Sequence, residues 1–197
     1  MLREILSLEK EEFVLLKALH LASQKVTVSY EELVKIIGEK DIQDFLLATE
    51  ENKLLLSVSS SKSAAWRDRL LLIQPGENYR MPNVIRILIS HLWDKGEWNP
   101  DYAIVGYFKQ IGELCWEKMP NFYRKIRENS KNNKINALQI KIIARDFHME
   151  KRVGALIAEL KGGGLISPFL SANPKSYFPV YEINPSLREF SQFQVKS

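Results

Sequence analysis

One stretch of this 197-residue chain lies over another without a gap. Shifted by a constant 111 residues, Leu33 falls on Ala144, Ile36 on Phe147, Ile42 on Val153, Phe45 on Leu156 and Leu46 on Ile157. Leu54 and Leu55 then fall on Leu165 and Ile166, while Thr49 against Leu160 and Lys53 against Gly164 are the weak matches. An apolar register held across two helical stretches and the start of a strand means that one core pattern is built twice. Such a pattern speaks to fold before it speaks to activity.

The elements around each copy follow from local signals. In the first, Phe13, Leu16, Leu19 and Leu21 make a helical stripe over residues 9–23, led by acidic residues. Ser29 with Glu32 has the spacing of a capping box, so a helix starts at Ser29 and ends at Gly38. A second helix over 41–53 follows, with Asp41 as its candidate cap. Leu54 to Val58 reads as a strand, residues 59–66 as a small polar loop, and Arg69 to Ile73 as the return strand. Pro75, Gly76 and Pro82 make 75–82 a turn. Val84, Ile87, Leu88, His91 and Leu92 predict a helix over 83–95 that Gly96 closes.

Asn99-Pro100 is the sharpest boundary in the chain. Beyond it, residues 101–118 read as an aromatic-rich helix, Met119-Pro120 as an interruption, and residues 121–133 as a short basic helix. Helices over 135–147 and 149–161 follow, the second stopped by Gly162–Gly164. Strands over Leu165–Leu170 and Phe178–Asn184 close the second copy, and the last dozen residues fray.

Three helices followed by a hairpin with a long loop is the element order of a winged helix. The run VGALIAELKGGGLI resembles the recognition-helix-to-strand segment of winged-helix regulators such as the MarR-like group. Val153, Leu156, Ile157, Leu160, Gly164, Leu165 and Ile166 fit that pattern position by position. LSLEKEEFVLLKAL also resembles the winged helix of DnaD-type replication proteins. The expectation is a mainly α protein with small β-hairpins (α+β) carrying tandem winged-helix domains. Residues 1–98 would form the first winged helix with a trailing helix, 99–134 a helical connector, and 135–197 the second winged helix.

Charge separates the two copies. Residues 1–99 hold 13 Lys and Arg against 15 Asp and Glu, a sum of −2; residues 100–197 hold 15 against 9, a sum of +6. A helix–turn–helix offers its second helix to the major groove and its flanks to phosphates. The first copy would present Asp41, Gln43, Asp44, Glu50, Glu51 and Lys53 there, four of them carboxylates facing a polyanion. It reads as a protein-docking unit, although Lys62, Arg67 and Arg69 in its loop could touch a backbone. In the second copy the basic residues are Lys141, Arg145, Lys151, Arg152 and Lys175, with Arg124, Lys125, Arg127, Lys131 and Lys134 just before it. These ten are the candidate contacts to double-stranded DNA. Phe122 and Tyr123 beside them are either nucleic-acid stacking residues or core. MarR-like proteins usually carry polar or Arg side chains where Gly154 and Ala155 stand. The resemblance therefore implies phosphate-directed contact with little base reading.

The functional expectation is a non-enzymatic, cytoplasmic DNA-binding protein in transcription or replication regulation. A protein partner or homodimer could use the helices at 83–95 and 101–118. The competing reading is a protein-interaction subunit whose winged helices are scaffolds without nucleic acid. No apolar run approaches the roughly 18 residues that cross a membrane, and the acidic MLREILSLEKEE does not read as a signal peptide. Neither a catalytic set, a metal nor a cofactor is expected. His20, His91 and His148 lack ligand spacing, and the first two sit at apolar helix faces where a hydrogen-bonded structural histidine is usual. Gly162–Gly164 follows a helix instead of preceding one, so it lacks the helix N-terminus a phosphate cradle uses. The lone Cys115 beside Trp116 reads as buried and inert.

Overall fold

A computed structural model describes residues 1–58, 65–66, 70–169 and 178–188. Within them the chain is mainly helical with two small antiparallel sheets. The first unit runs α1 (Leu2–Leu6), α2 (Glu12–Ser23), β1 (Val28–Ser29), α3 (Tyr30–Ile37), α4 (Ile42–Glu51), β2 (Leu56–Ser57) and β3 (Asn78–Arg80). Two helices follow, α5 (Asn83–Lys95) and α6 (Pro100–Gln110). The second unit is α7 (Met119–Glu128), β4 (Lys134–Asn136), α8 (Ala137–Asp146), α9 (Val153–Gly163), β5 (Ile166–Phe169) and β6 (Val180–Ile183). The sheets have the same order, β1-β3-β2 and β4-β6-β5, so the last strand of each unit is its central one. Val28 pairs with Tyr79 and Leu56 with Arg80 in the first; Ile135 pairs with Tyr181 and Ser167 with Glu182 in the second.

The two units share one topology but not one constant register. Ser29 caps α3 in a complete capping box with Glu32, and Asn136 caps α8 in a complete capping box with Gln139. Aligned on their caps, buried Leu33 matches buried Ile140, and Ile37 matches Ala144. The offset is 107 residues at α3/α8 and 111 at α4/α9, with the longer α8 and the turn Glu150–Arg152 absorbing the difference. The gapless overlay therefore misplaces Leu33 by four residues. Four residues are close to one helical turn, so the apolar stripe still lined up.

Other expectations shift for similar local reasons. Leu70–Ile73 forms no strand, and Arg69 lies outside the described residues. The return strand is β3, inside the expected turn, because Gly76 at φ 83° reverses the chain and Tyr79 is fully buried, its hydroxyl donating to Leu72 O at 2.7 Å. Met119-Pro120 does not interrupt a helix but starts α7, where a proline in the first turn lacks only an N–H that has no partner anyway. The helix expected over 101–118 stops at Gln110, with Gly112 in the left-handed region at φ 76°. Asp41 does not cap α4 through its side chain; its carboxylate pairs with Lys10 at 2.6 Å. The loop residues 171–176 and the chain beyond 188 lie outside the described residues.

Buried side chains form one continuous cluster from Leu2 to Leu187. The seam between the units is the end of α9. A Cβ at Gly163 would stand 2.5 Å from Leu165 Cδ1 and 2.6 Å from Tyr107 Cε1, and one at Gly164, where φ is +77°, would stand 2.4 Å from Pro82 Cβ. Hydrogen bonds follow this close approach. The Tyr107 hydroxyl donates to Glu159 O at 2.9 Å, Asn83 Nδ2 to Gly162 O at 3.2 Å, and Asn184 Nδ2 to Gly164 O at 2.9 Å. Ser186 Oγ donates to Asn52 O, and the Trp66 N–H to Ser167 Oγ at 2.8 Å. Gly163→Ala and Gly164→Ala should each lower stability by about 1–3 kcal/mol through overpacking. Gly154→Ala, with nothing within 4 Å, should raise it by about 0.5 kcal/mol. Urea unfolding midpoints of the three variants check both signs.

Candidate nucleic-acid interface

The exposed surface of α8, α9 and the turn between them is set by which side of each helix the core takes. On α8 the core takes Ile140, Ile143 and Ala144. This leaves Leu138, Lys141, Ile142, Arg145 and Asp146 outward, a single helical stripe that carries two cations and one carboxylate. The helix closes through His148, whose φ of 59° lets the Met149 N–H reach Ala144 O at 2.8 Å. The turn Glu150–Arg152 then presents Lys151 to solvent. On α9 the core takes Leu156, Ile157 and Leu160, and Gly154, Ala155, Ala158 and Lys161 face outward.

Lys141, Arg145 and Lys151 are exposed and form no ion pair with any described residue. The structure places Lys141 and Arg145 on α8 and Lys151 in the turn before α9. Most of the other candidates have intramolecular partners. Arg124 Nη2 lies 2.6 Å from Asp101 Oδ2, and its Nη1 donates to Asn121. Lys125 pairs with Glu128 at 2.7 Å, and Arg127 donates to Leu187 O at 2.8 Å. Lys131 and Lys134 pair through their main chains across a two-residue turn formed by Asn132 and Asn133, both at positive φ, and the exposed Lys131 side chain forms no ion pair with any described residue. Lys134 Nζ sits 3.9 Å from the centre of the Phe169 ring. Lys175 lies outside the described residues, as do Lys62, Arg67 and Arg69 of the first unit.

Arg152 has a different role from that expected. Its guanidinium donates to Glu113 Oε1 at 2.7 Å and to Glu159 Oε1 at 3.3 Å. The Glu113 side chain is 0% exposed and that of Arg152 43%. The Arg152 guanidinium, and then the Cys115 N–H at 2.8 Å, hold the Glu113 carboxyl below the usual glutamate range against the effect of burial. Burial first, and Glu113 second, push Glu159 above it. Arg152 therefore neutralises a buried carboxylate before it can meet a phosphate. Glu159 stands seven residues from Arg152, two helical turns, a spacing visible in the sequence. Glu113 is 39 residues away, and no local signal pairs it with Arg152.

The aromatic candidates are core. Phe122 and Tyr123 are buried, the Tyr123 hydroxyl donating to Leu165 O at 3.1 Å, and neither can stack on a base. Burial also pushes the Tyr123 hydroxyl well above its ordinary value. His20 and His91 are held by stacking, on Trp93 at 4.2 Å and Tyr102 at 4.1 Å. Cys115 is half-buried at the edge of the Arg152 cluster. In the first unit Asp41 pairs with Lys10 and Glu50 with Lys53, leaving Gln43, Asp44, Leu47 and Glu51 exposed on α4.

Removing one member of a buried ion pair strands the other. Arg152→Ala should cost about 2 kcal/mol, discounted because the guanidinium is partly exposed. Lys151→Ala, one residue away, should change stability by less than about 0.5 kcal/mol. Urea unfolding of the two variants separates the structural cation from the free one.

No curated protein and no solved structure matches this chain. One family model matches it over residues 1–194, and the chain belongs to that family.

Proposed function

We propose that this chain is a non-enzymatic protein of two winged-helix units that holds double-stranded DNA through its second unit, in transcription or replication. The order α2-β1-α3-α4-β2-β3, repeated as α7-β4-α8-α9-β5-β6 with the same strand arrangement, supports the winged-helix reading. The observation that carries the DNA reading is the set Lys141, Arg145 and Lys151, three exposed cations without ion-pair partners among the described residues on one helix–turn–helix. Gly154 and Ala155 at the exposed start of α9 have no groups for bidentate contact with bases, so the binding is phosphate-directed and tolerant of sequence. The first unit, with Asp44 and Glu51 exposed on α4, repels the same partner and docks protein.

A second reading rests on the same stripe. Leu138 is 40% exposed and Ile142 51%, and aliphatic side chains between cations suit an acidic protein surface. Salt separates the two. Three phosphate contacts give a slope of about −2.7 in log affinity against log salt, roughly a 40-fold loss between about 50 and 200 mM. Fluorescence anisotropy with a generic duplex should show that loss. Each of Lys141→Ala, Arg145→Ala and Lys151→Ala should lower the slope by about 0.9 for every sequence tested. Absence of duplex binding at low salt overturns the DNA reading and leaves protein docking on Leu138 and Ile142.

A further inference from the structure

Arg152 brings one positive charge to a place that holds two carboxyl groups. Glu113 comes from the turn after α6 and Glu159 from α9. The Oε1 of each accepts from Arg152. The Oε2 of each is buried and meets no donor. The two side chains face one another within hydrogen-bonding reach. The other polar groups at the pair are the Cys115 thiol and the Tyr107 hydroxyl. The Cys115 N–H is committed to Glu113 Oε1, and the Tyr107 hydroxyl donates to the main-chain oxygen of Glu159. Among the described residues Arg152 is the one cation there, and two ionised carboxylates beside it would leave an excess negative charge, with two acceptors facing each other unsatisfied.

We propose that Glu113 and Glu159 share one proton, forming a buried acid–carboxylate pair that ties the α6–α7 turn to α9, with Arg152 closing it from the solvent side. The proton stays on Glu159 Oε2 and is donated to Glu113 Oε2, so one hydrogen satisfies both orphan atoms. Glu113 remains ionised against Arg152, and the cluster is neutral. Glu159, at 23% side-chain exposure, is the member that can turn to water when the proton leaves.

The linkage has a definite sign. Glu159 is raised from 4.5 in the folded chain. Its contribution is therefore complete below that value and is lost as pH rises through the raised one. Glu113 is lowered from 4.5. Its contribution is complete above that value and is lost as pH falls through the lowered one. The tie is strongest near the ordinary glutamate range and loosens as pH rises through the raised value of Glu159. It depends on no DNA reading. If α9 is the helix offered to DNA, the pair sets how firmly that helix is held.

Urea unfolding of the full chain from about pH 4.5 to 8 tests this, with wild type, Glu159→Gln and Glu113→Gln. Glutamine at 159 cannot ionise and keeps a donor for Glu113. Glu159→Gln should match wild type at the acid end. It should then gain on it by up to about tenfold in the folding equilibrium per pH unit until Glu159 has ionised. In Glu113→Gln the Arg152 guanidinium is left to Glu159, so stability should fall with acid instead of with base. A Glu159→Gln difference that is constant across pH, or that shrinks as pH rises, overturns the shared proton. Refolding wild type and Glu159→Gln in weak buffer just above the ordinary glutamate range, followed with an indicator dye, gives a second reading: wild type should take up more protons than the variant. Equal uptake by the two overturns the proposal.

Discussion

Two glycines let the second unit approach the first closely enough to share its core. At Gly163 and Gly164 the backbone of α9 meets the Tyr107 ring and Pro82 at distances that no Cβ could occupy. The approach gives Tyr107, Asn83 and Asn184 their main-chain acceptors on α9 and the residue after it. It also fixes where α9 begins, two to three turns earlier, and so places Arg152 against Glu113. A run of glycines that ends a helix in sequence is a seam between units in three dimensions. Packing of this closeness is destabilised by a single added methyl because the interior has no room to yield.

The readability of this seam differed from that of the elements around it. Apolar spacing located every long helix, and α5 ends where Gly96 permits the left-handed cap. The repeat was also legible, but its register was not, because a four-residue insertion leaves helical periodicity almost unchanged. The capping residues Ser29 and Asn136 carry the true alignment, since a cap is a single position and a stripe is a pattern. Strand β3 was hidden by neighbouring glycine and proline, although Tyr79 between Asn78 and Arg80 has the alternation of a strand. Side-chain roles were least legible. Arg152 and Phe122 belong to a basic, aromatic stretch whichever way they point, and only the fold turns one toward Glu113 and the other into the core.

Electrostatics here is mostly an internal matter. Of the cations around the second unit, Arg124, Lys125 and Arg152 have carboxylate partners, and Arg127 is tied to a main-chain oxygen. Their formal charges contribute to the +6 of residues 100–197 but not to a concentrated field. Among the described residues Lys141, Arg145 and Lys151 remain outward on α8 and the turn before α9, with Lys131 and Lys161 exposed at either side. The first unit keeps the same scaffold with carboxylates on α4, so one architecture presents two surfaces of different sign.

The strand order has a consequence for how the chain becomes a protein. In each sheet the strand made last is the one in the middle, so β1 and β2 have no partner until β3 exists, and β4 and β5 none until β6 does. Val28 waits for Tyr79 and Ile135 for Tyr181. During vectorial synthesis the helices of a unit can form while its sheet cannot, and the long-range pairings that close it are the slow ones. Unpaired strand edges are exposed in that interval. A chain that stops before Val180 loses more than an edge strand: it loses the keystone of the second sheet, and both remaining strands become edges without a centre.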